Sequence, residues 1–265
     1  MKIGVLGAAG RMGRMLIRQI HETDGCTVAG AVDRPGSVEL GRDAGELAAI
    51  GPLGLVVGDD PAALFKLADA AIDFTAPAAT VAHAALAAEH GCNLVIGTTG
   101  LTPEQLAELD RAAQKIAIVQ APNMSVGVVL LTALAEQVAR TLGPDYDIEI
   151  LEMHHRHKVD APSGTALALG QAAARGRAVD LAASSVRSRD GHTGARPIGT
   201  IGFATLRGGD VVGDHSVIFA GEGERIDLTH KAQSRQIYAS GAVRAARWTN
   251  GRAAGRYAMR DVLGL

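Results

Sequence analysis

Lys2 to Leu6 is an apolar run that stops at glycine, and the loop Gly7-Ala8-Ala9-Gly10-Arg11-Met12-Gly13 leads directly into residues at helical spacing, Met12, Met15, Leu16 and Ile20. A buried strand, a glycine turn and an amphipathic helix in succession commit the start of the chain to a βαβ unit. The pattern then repeats. Thr27 to Val32 reads as a second strand ending in Asp33, and residues 35–60, rich in Gly, Pro and Asp, read as loops with short elements. Ala71 to Phe74 is a strand, Pro77 opens a helix that runs to His90, and Gly91 stands where a C-terminal cap belongs. Leu94 to Ile96 is a strand before Gly97-Thr98-Thr99-Gly100. Thr102-Pro103-Glu104-Gln105 opens a helix as a capping box, and Ile116 to Val119 is the next strand. Strands alternating with helices predict α/β architecture: an N-terminal, Rossmann-type, doubly wound parallel sheet.

Beyond about residue 120 the pattern changes. Ser125 to Leu142 is a long apolar helix, Asp147 to Met153 a strand, and Asp160-Ala161-Pro162-Ser163-Gly164 a turn opening another helix. From Ser185 to Lys231, short β-prone runs are separated by glycines: Phe203–Leu206, Val211–Val212, Val217–Phe219 and Ile226–Thr229. They predict a C-terminal α+β domain with an open mixed sheet. Gln236 to Trp248 is helical again and is expected to return to the first domain. The predicted division of the 265 residues is therefore 1–125 with 235–265, and 126–234. Aromatics are only 3% of the chain against 47% apolar residues, so both cores must be aliphatic.

A formal net charge of −2 provides no global basic field for nucleic acid. No apolar run is read as approaching the ~20 residues of a membrane span, and the opening MKIGVLGAAG reads as a first strand rather than a leader. Cys26 and Cys92 are isolated and read as reduced thiols near the core. The expectation is a cytoplasmic protein without nucleic-acid or membrane partners.

The glycines of the first loop allow a tight turn and close approach of backbone to a pyrophosphate, and the helix N-terminus offers N–H groups and partial positive charge to the phosphates. Asp33, twenty residues after Gly13 and at the end of the second strand, suits the hydroxyls of an adenosine ribose. Arg34 beside it suits a 2′-phosphate. Both NADH and NADPH are expected as cofactors.

Glu152-Met153-His154-His155-Arg156-His157-Lys158 gathers three histidines, an arginine and a lysine within five residues. Successive histidines on an extended segment face opposite sides, and no carboxylate or cysteine set with ligand spacing accompanies them, so no metal is expected. At Ser163-Gly164-Thr165 the serine can cap a helix whose first N–H groups, Gly164 and Thr165, can receive a carboxylate. A cationic strand end followed by a helix N-terminus is a trap for a small dianion.

EMHHRHKVDAPSGTAL resembles the signature of the 4-hydroxy-tetrahydrodipicolinate reductases. GAAGRMG, DFTAP, GTTG, APNMSVG, the long block from GHTGARPIG to HKAQSR, and YAMRDVL are similar to blocks of the same family in the same order, over essentially the whole chain. The resemblance implies reduction of 4-hydroxy-tetrahydrodipicolinate to tetrahydrodipicolinate with loss of water, in lysine biosynthesis through diaminopimelate. It implies that Gly7, Ala8, Ala9, Gly10, Arg11 and Met12 hold the pyrophosphate, Asp33 the ribose and Arg34 the 2′-phosphate of NADPH. Gly97, Thr98 and Thr99 would lie along the nicotinamide half, with Ala121, Pro122, Asn123 and Met124; relatives often carry Phe at the last position. His154 and Lys158 are the two candidate proton donors, His155 binds substrate, and Gly164 and Thr165 bind its carboxylate. A homotetramer built by the second domain is also implied. The alternative is another two-domain NAD(P)-dependent amino-acid dehydrogenase, and a non-enzymatic dinucleotide sensor would need neither the basic cluster nor the anion trap.

Overall fold

The computed structural model describes residues 1–265 and divides into two compact units: Met1–Val126 with Gln236–Gly264, and Gly127–Arg235 with Leu265. The elements of the first are β1 (Lys2–Leu6), α1 (Arg11–His21), β2 (Thr27–Val32), α2 (Ala44–Leu47), β3 (Val57–Gly58), α3 (Pro61–Leu67), β4 (Ala70–Asp73), α4 (Pro77–His90), β5 (Asn93–Ile96), α5 (Pro103–Ala112) and β6 (Ala117–Gln120). The second contains α6 (Val126–Leu142), a 3-10 turn (Gly143–Asp145), β7 (Asp147–His154), α7 (Gly164–Arg177), α8 (Leu181–Ser184), β8 (Ser185–Val186), β9 (Ile201–Arg207), β10 (Gly213–Ala220) and β11 (Arg225–Ala232). The chain then returns to the first unit with α9 (Gln236–Trp248), β12 (Gly255–Tyr257) and α10 (Met259–Leu263).

The first sheet is parallel throughout, in the order β12-β6-β5-β4-β1-β2-β3. The chain winds outward from β1 to β3, then crosses to β4 on the other side of β1. This reversal is the switch point at which open α/β sheets bind ligands, outside the carboxyl ends of their strands. Leu6 pairs with Asp73 across it, so the glycine loop after β1 and the Phe74-Thr75 segment after β4 emerge side by side. Ala70, Ala71, Ile72, Leu94, Val95 and Ile96 are completely buried, as strands covered by helices on both faces must be. On one face, Leu64 and Phe65 of α3, Ala84 and Ala87 of α4 and Leu109 of α5 pack against Leu6, Leu94, Ile96 and Ile118. The α9 helix packs on α1, β4 and β5, and β12 adds a parallel edge strand beside β6.

The second sheet has the order β11-β10-β7-β9-β8 and is mixed: β10 runs antiparallel to both its neighbours, whereas β7, β9 and β8 are parallel. One face packs on α6 and α7 through Leu131, Ala135, Ile148, Ile150, Leu169, Phe203, Val217 and Phe219. Strict alternation along β7 puts Ile148, Ile150, Glu152 and His154 on the buried face.

Two sequence expectations are corrected here. Val211 and Val212 form no strand. They lie in the link from β9 to β10, which are separated in the sheet by β7, so this link has to pass the end of β7 and finds no ladder partner. Gly208 and Gly209 instead bond to His154 and Arg156 just past that strand. The second concerns α6: the stretch Val126–Asp145 is long and apolar enough, by length and composition, to cross a membrane. Leu131, Ala135 and Ala139 on this helix are core residues of the second unit, Leu130 and Leu134 are exposed, and Glu136 pairs with Arg140 and Arg175.

Candidate functional site

The glycine loop is held by its backbone. Gly7 turns in the left-handed region (φ 71°), Ala8 N–H donates to Val32 O (3.0 Å), and Gly10 N–H donates to Gly7 O (3.0 Å). A Cβ on Gly13 would stand 2.2 Å from Gly7 O, so only glycine lets α1 approach the loop this closely. Gly10 is the N-cap of α1 and no side chain caps the helix. With Gly7 and Gly10 lacking a Cβ and the first turn uncapped, residues 7–13 fit a dinucleotide phosphate. Asp33 sits beside them: Oδ2 accepts from Ala9 N–H (2.7 Å) and Oδ1 from Arg34 N–H (2.7 Å). A carboxylate has about four acceptor positions, so two remain for ribose hydroxyls. Arg34 is exposed.

Beyond the switch point lies a buried polar network absent from the sequence reading. Asp73, fully buried at the end of β4, accepts from Thr75 N–H (2.8 Å) and Thr75 Oγ1 (2.6 Å) and pairs with His83 Nδ1 (2.8 Å). Thr80 Oγ1 donates to Thr98 Oγ1 (2.8 Å), which reaches toward Asp73 (3.4 Å). The Thr98 side chain is thus turned into the protein and the residue is buried, while Thr99 beside it is exposed. Gly97 N–H donates to Asp73 O and Ala121 N–H to Ile96 O, tying both segments to strand ends. Pro122 is exposed, Asn123 accepts from Ser125 N–H (2.8 Å), and Met124 is buried, filling core space as an apolar side chain should.

In the second unit, β7 ends at His154, 8% exposed, whose Nδ1 lies 2.5 Å from Glu152 Oε2. Glu152 also accepts two bonds from the Arg207 guanidinium (2.9 and 3.0 Å) and one from Ser163 N–H (3.0 Å). Burial pushes the Glu152 carboxyl up, but the bonds from Arg207, His154 and Ser163 together hold it below the usual carboxylate range. The Ser163 side chain caps α7 by accepting from Ala166 N–H and lies 3.1 Å from His215 Nε2. The rings of His154 and His215 meet edge to face at 5.0 Å. Burial, reinforced by the neighbouring His154, lowers His215 to about 4, so its imidazole is neutral at pH 7.

His155 points to the other side of the strand, toward His157 (6.2 Å between rings), and its buried Nδ1 has no partner. Burial, then the charge of Arg235, lowers it below the ordinary imidazole value. Lys158 closes a turn by donating its N–H to His155 O, and its Nζ donates to Asp160 Oδ1 (2.7 Å). Gly164 and Thr165 open α7, and nothing stands within 4 Å of where a Cβ on Gly164 would be. The basic cluster and the α7 N-terminus, adjacent in sequence, are thus joined through one carboxylate.

Glu152, Arg207 and His215 escaped the sequence reading as site residues. A glutamate on the apolar face of an alternating strand was the available signal for Glu152. Nothing local marks Arg207 or His215, which arrive from β9 and β10.

A parallel sheet with a glycine loop at its switch point, followed by a mixed-sheet unit carrying an acid–base cluster, defines a two-domain oxidoreductase with a nucleotide-binding N-terminal domain. Family models narrow this. Residues 1–124 match "Dihydrodipicolinate reductase, N-terminus" and residues 127–263 match "Dihydrodipicolinate reductase, C-terminus". A 4-hydroxy-tetrahydrodipicolinate reductase of Methylocella silvestris is 58% identical over 265 residues, covering 100% of this chain and 97% of its own. One from Mesorhizobium japonicum is 59% identical over 266 residues, with the same coverages. The fold is shared with a dipicolinate-bound dihydrodipicolinate reductase from Paenisporosarcina sp. TG-14 (TM-score 0.76, 24% identity, 97% of each chain). The chain belongs to the dihydrodipicolinate reductase family. It is an oxidoreductase that reduces 4-hydroxy-tetrahydrodipicolinate on the diaminopimelate route to lysine, and not one of the amino-acid dehydrogenases considered as the alternative.

Proposed function

We propose that the first domain binds either NADH or NADPH, and that the second binds the dicarboxylate substrate and handles its protons. Gly7 to Met12 would hold the pyrophosphate, Asp33 the ribose and Arg34 the 2′-phosphate when present. Gly97, Thr98, Thr99 and Ala121 to Met124 would flank the nicotinamide, with Thr98 acting through its backbone. A bound reduced nicotinamide supplies a hydride to the conjugated ring left after loss of water.

The observation carrying the substrate assignment is that Glu152 hydrogen-bonds both His154 and the Ser163 amide at the α7 cap, so a proton-exchanging imidazole and a helix N-terminus share one anchor. One substrate carboxylate is assigned to the N–H groups of Gly164 and Thr165, where the helix dipole favours an anion. His155 is assigned to the substrate as well: its unpartnered Nδ1 is a polar atom seeking a bond. Lys158 carries a proton at Nζ, held by Asp160, and His154 exchanges one at Nε2. One of them must protonate the carbon next to the site of hydride addition. The dipicolinate in the Paenisporosarcina structure is a planar analogue of such a ring.

The test is Lys158→Ala assayed with substrate generated from pyruvate and aspartate semialdehyde. Loss of a general acid typically costs about 10²–10⁴-fold in rate, so kcat should fall on that scale while NADH binding, followed by its fluorescence, is unchanged. Wild-type turnover would remove Lys158 from the chemistry.

We further assign the chain to the cytoplasm, where Cys26 and Cys92, both buried free thiols, would remain reduced, and to a homotetramer formed through the second sheet. In support, β11 is an eight-residue edge strand, well exposed, with Ile226 on it and Leu206 on β9 both more than a third exposed. Long open edges of this kind invite pairing. Sedimentation should give four times the 27.3 kDa chain mass; a monomer would overturn the assignment.

A further inference from the structure

His154 can exchange a proton usefully only if its ring is held in one tautomer and orientation, and the structure contains a dedicated device for that. Glu152 is 1% exposed, and each carboxylate oxygen takes two bonds: Oε2 from His154 Nδ1 and Arg207, Oε1 from Arg207 and Ser163 N–H. With about four acceptor positions on a carboxylate, the group is saturated and cannot turn. An ionised Glu152 can only accept, so His154 carries its hydrogen on Nδ1, and Nε2 is left as the exchanging nitrogen.

Arg207 has a second task. Its guanidinium also donates to Asp160 O (2.7 Å), the backbone of the residue whose side chain holds Lys158. One arginine therefore fastens the carboxylate behind His154 and the loop that carries Lys158. It also balances charge: a buried carboxylate is costly unless paired, and an imidazolium beside Glu152 would be over-stabilised if that charge had no counterpart.

We propose that Glu152 and Arg207 are positioning residues for His154, the first fixing its tautomer and setting a negative charge behind its ring, the second balancing that charge and locking the Lys158 loop. The inference rests on the assignment of proton exchange to His154. The titratable and charged groups around His154 are Glu152 on its own strand, His215 on β10 and His155 next in sequence, with Arg207 on β9 bonded to Glu152, and His230 on β11 and Lys158 further out beside His215. Of these charged groups, Glu152 bonds His154 directly and Arg207 bonds Glu152 in turn, and they have opposite charge.

This opposition makes a purely structural role distinguishable. Consider the alkaline limb of the kcat profile that survives in Lys158→Ala, where activity is lost as His154 gives up its proton. Glu152→Gln removes the anion and leaves Arg207 repelling the cation, so the limb should move to lower pH. Arg207→Met removes the repulsion and leaves the anion, so the limb should move to higher pH. Shifts of about one pH unit are the usual scale for a neighbouring charge. Arg207→Lys, which keeps the charge, should leave the limb near its wild-type position. Folding of each variant is checked by circular dichroism and by NADH binding in the first domain.

Opposite shifts, with recovery in Arg207→Lys, support the proposal. Shifts in the same direction, or none, overturn it, provided His154→Gln still abolishes turnover. Wild-type turnover in His154→Gln would instead defeat the assignment of His154, and the positioning proposal with it. If Glu152→Gln does not fold, the two Arg207 variants decide: an upward shift in Arg207→Met reversed in Arg207→Lys supports the proposal, and an unmoved limb in both overturns it.

Discussion

Asp33 shows how one side chain can serve both fold and ligand. Its two oxygens hold Ala9 N–H and Arg34 N–H, so the carboxylate that suits a ribose also fastens the glycine loop to the end of β2. A hydrogen bond to a charged group is worth about 1.5–3 kcal/mol, which converts to roughly tenfold to a hundredfold in affinity. Asp33→Ala should therefore raise the KM for NADH by about that factor. The KM for NADPH should rise less, because Arg34 remains to meet a 2′-phosphate. Equal losses for the two cofactors in parallel titrations would disconnect Asp33 from the ribose.

Among the elements, a constraint that bears directly on the site falls where α1 meets β1. The helix can start directly on the loop only because Gly13 brings backbone against backbone, Gly7 O on one side and Ala8 Cα on the other. Neither atom is the end of a flexible side chain, so an added methyl has to push the helix away. Gly13→Ala should cost about 1–3 kcal/mol, the usual range for overpacking. It should also weaken NADH binding, since the uncapped first turn moves with the helix. Chemical denaturation combined with a fluorescence titration measures both; an unchanged midpoint and an unchanged affinity would contradict the close-approach account.

At the scale of the whole molecule, the buried histidines set how the protein meets acid. His215 lies at about 4 when folded against an ordinary 6.5. The unfolded chain therefore takes up a proton at a pH where the folded one does not. Stability should fall as pH drops from about 6.5 to about 4, by about 3 kcal/mol for this group alone on the scale of 1.36 kcal/mol per pH unit. Burial lowers His155 and His230 as well, so their contributions have the same sign. Glu149, held below its ordinary 4.5 by Arg189 and Arg196 against the opposing effect of burial, and Glu152 act in a lower window: their contribution is complete above about 4.5 and is lost as pH falls through their folded values. Urea unfolding at pH 7, 5.5 and 4.5 should show the upper loss in the wild type and a smaller one in His215→Gln; identical slopes would relieve His215 of this role.

The sequence by itself determined the succession of elements in the first domain, the glycine loop, Asp33 at a strand end and the cap at Ser163, because each follows from local periodicity or from a backbone requirement within a few residues. It determined the family as well, through long ordered blocks. Period two along β7 even fixed which side chains share a face, but a face is not a partner. Arg207 reaches Glu152 from 55 residues away, and it does so only because β9 docks parallel to β7 with Arg207 opposite His154. His215 arrives from β10, and β12 from the end of the chain. The same pairing of distant strands left Val211 and Val212 without a ladder despite their β propensity. Sheet order and register arise when whole elements are packed together, so the tertiary structure alone decided which charge stands behind His154, which threonines and histidine surround Asp73, and where the strand pattern of the second domain breaks.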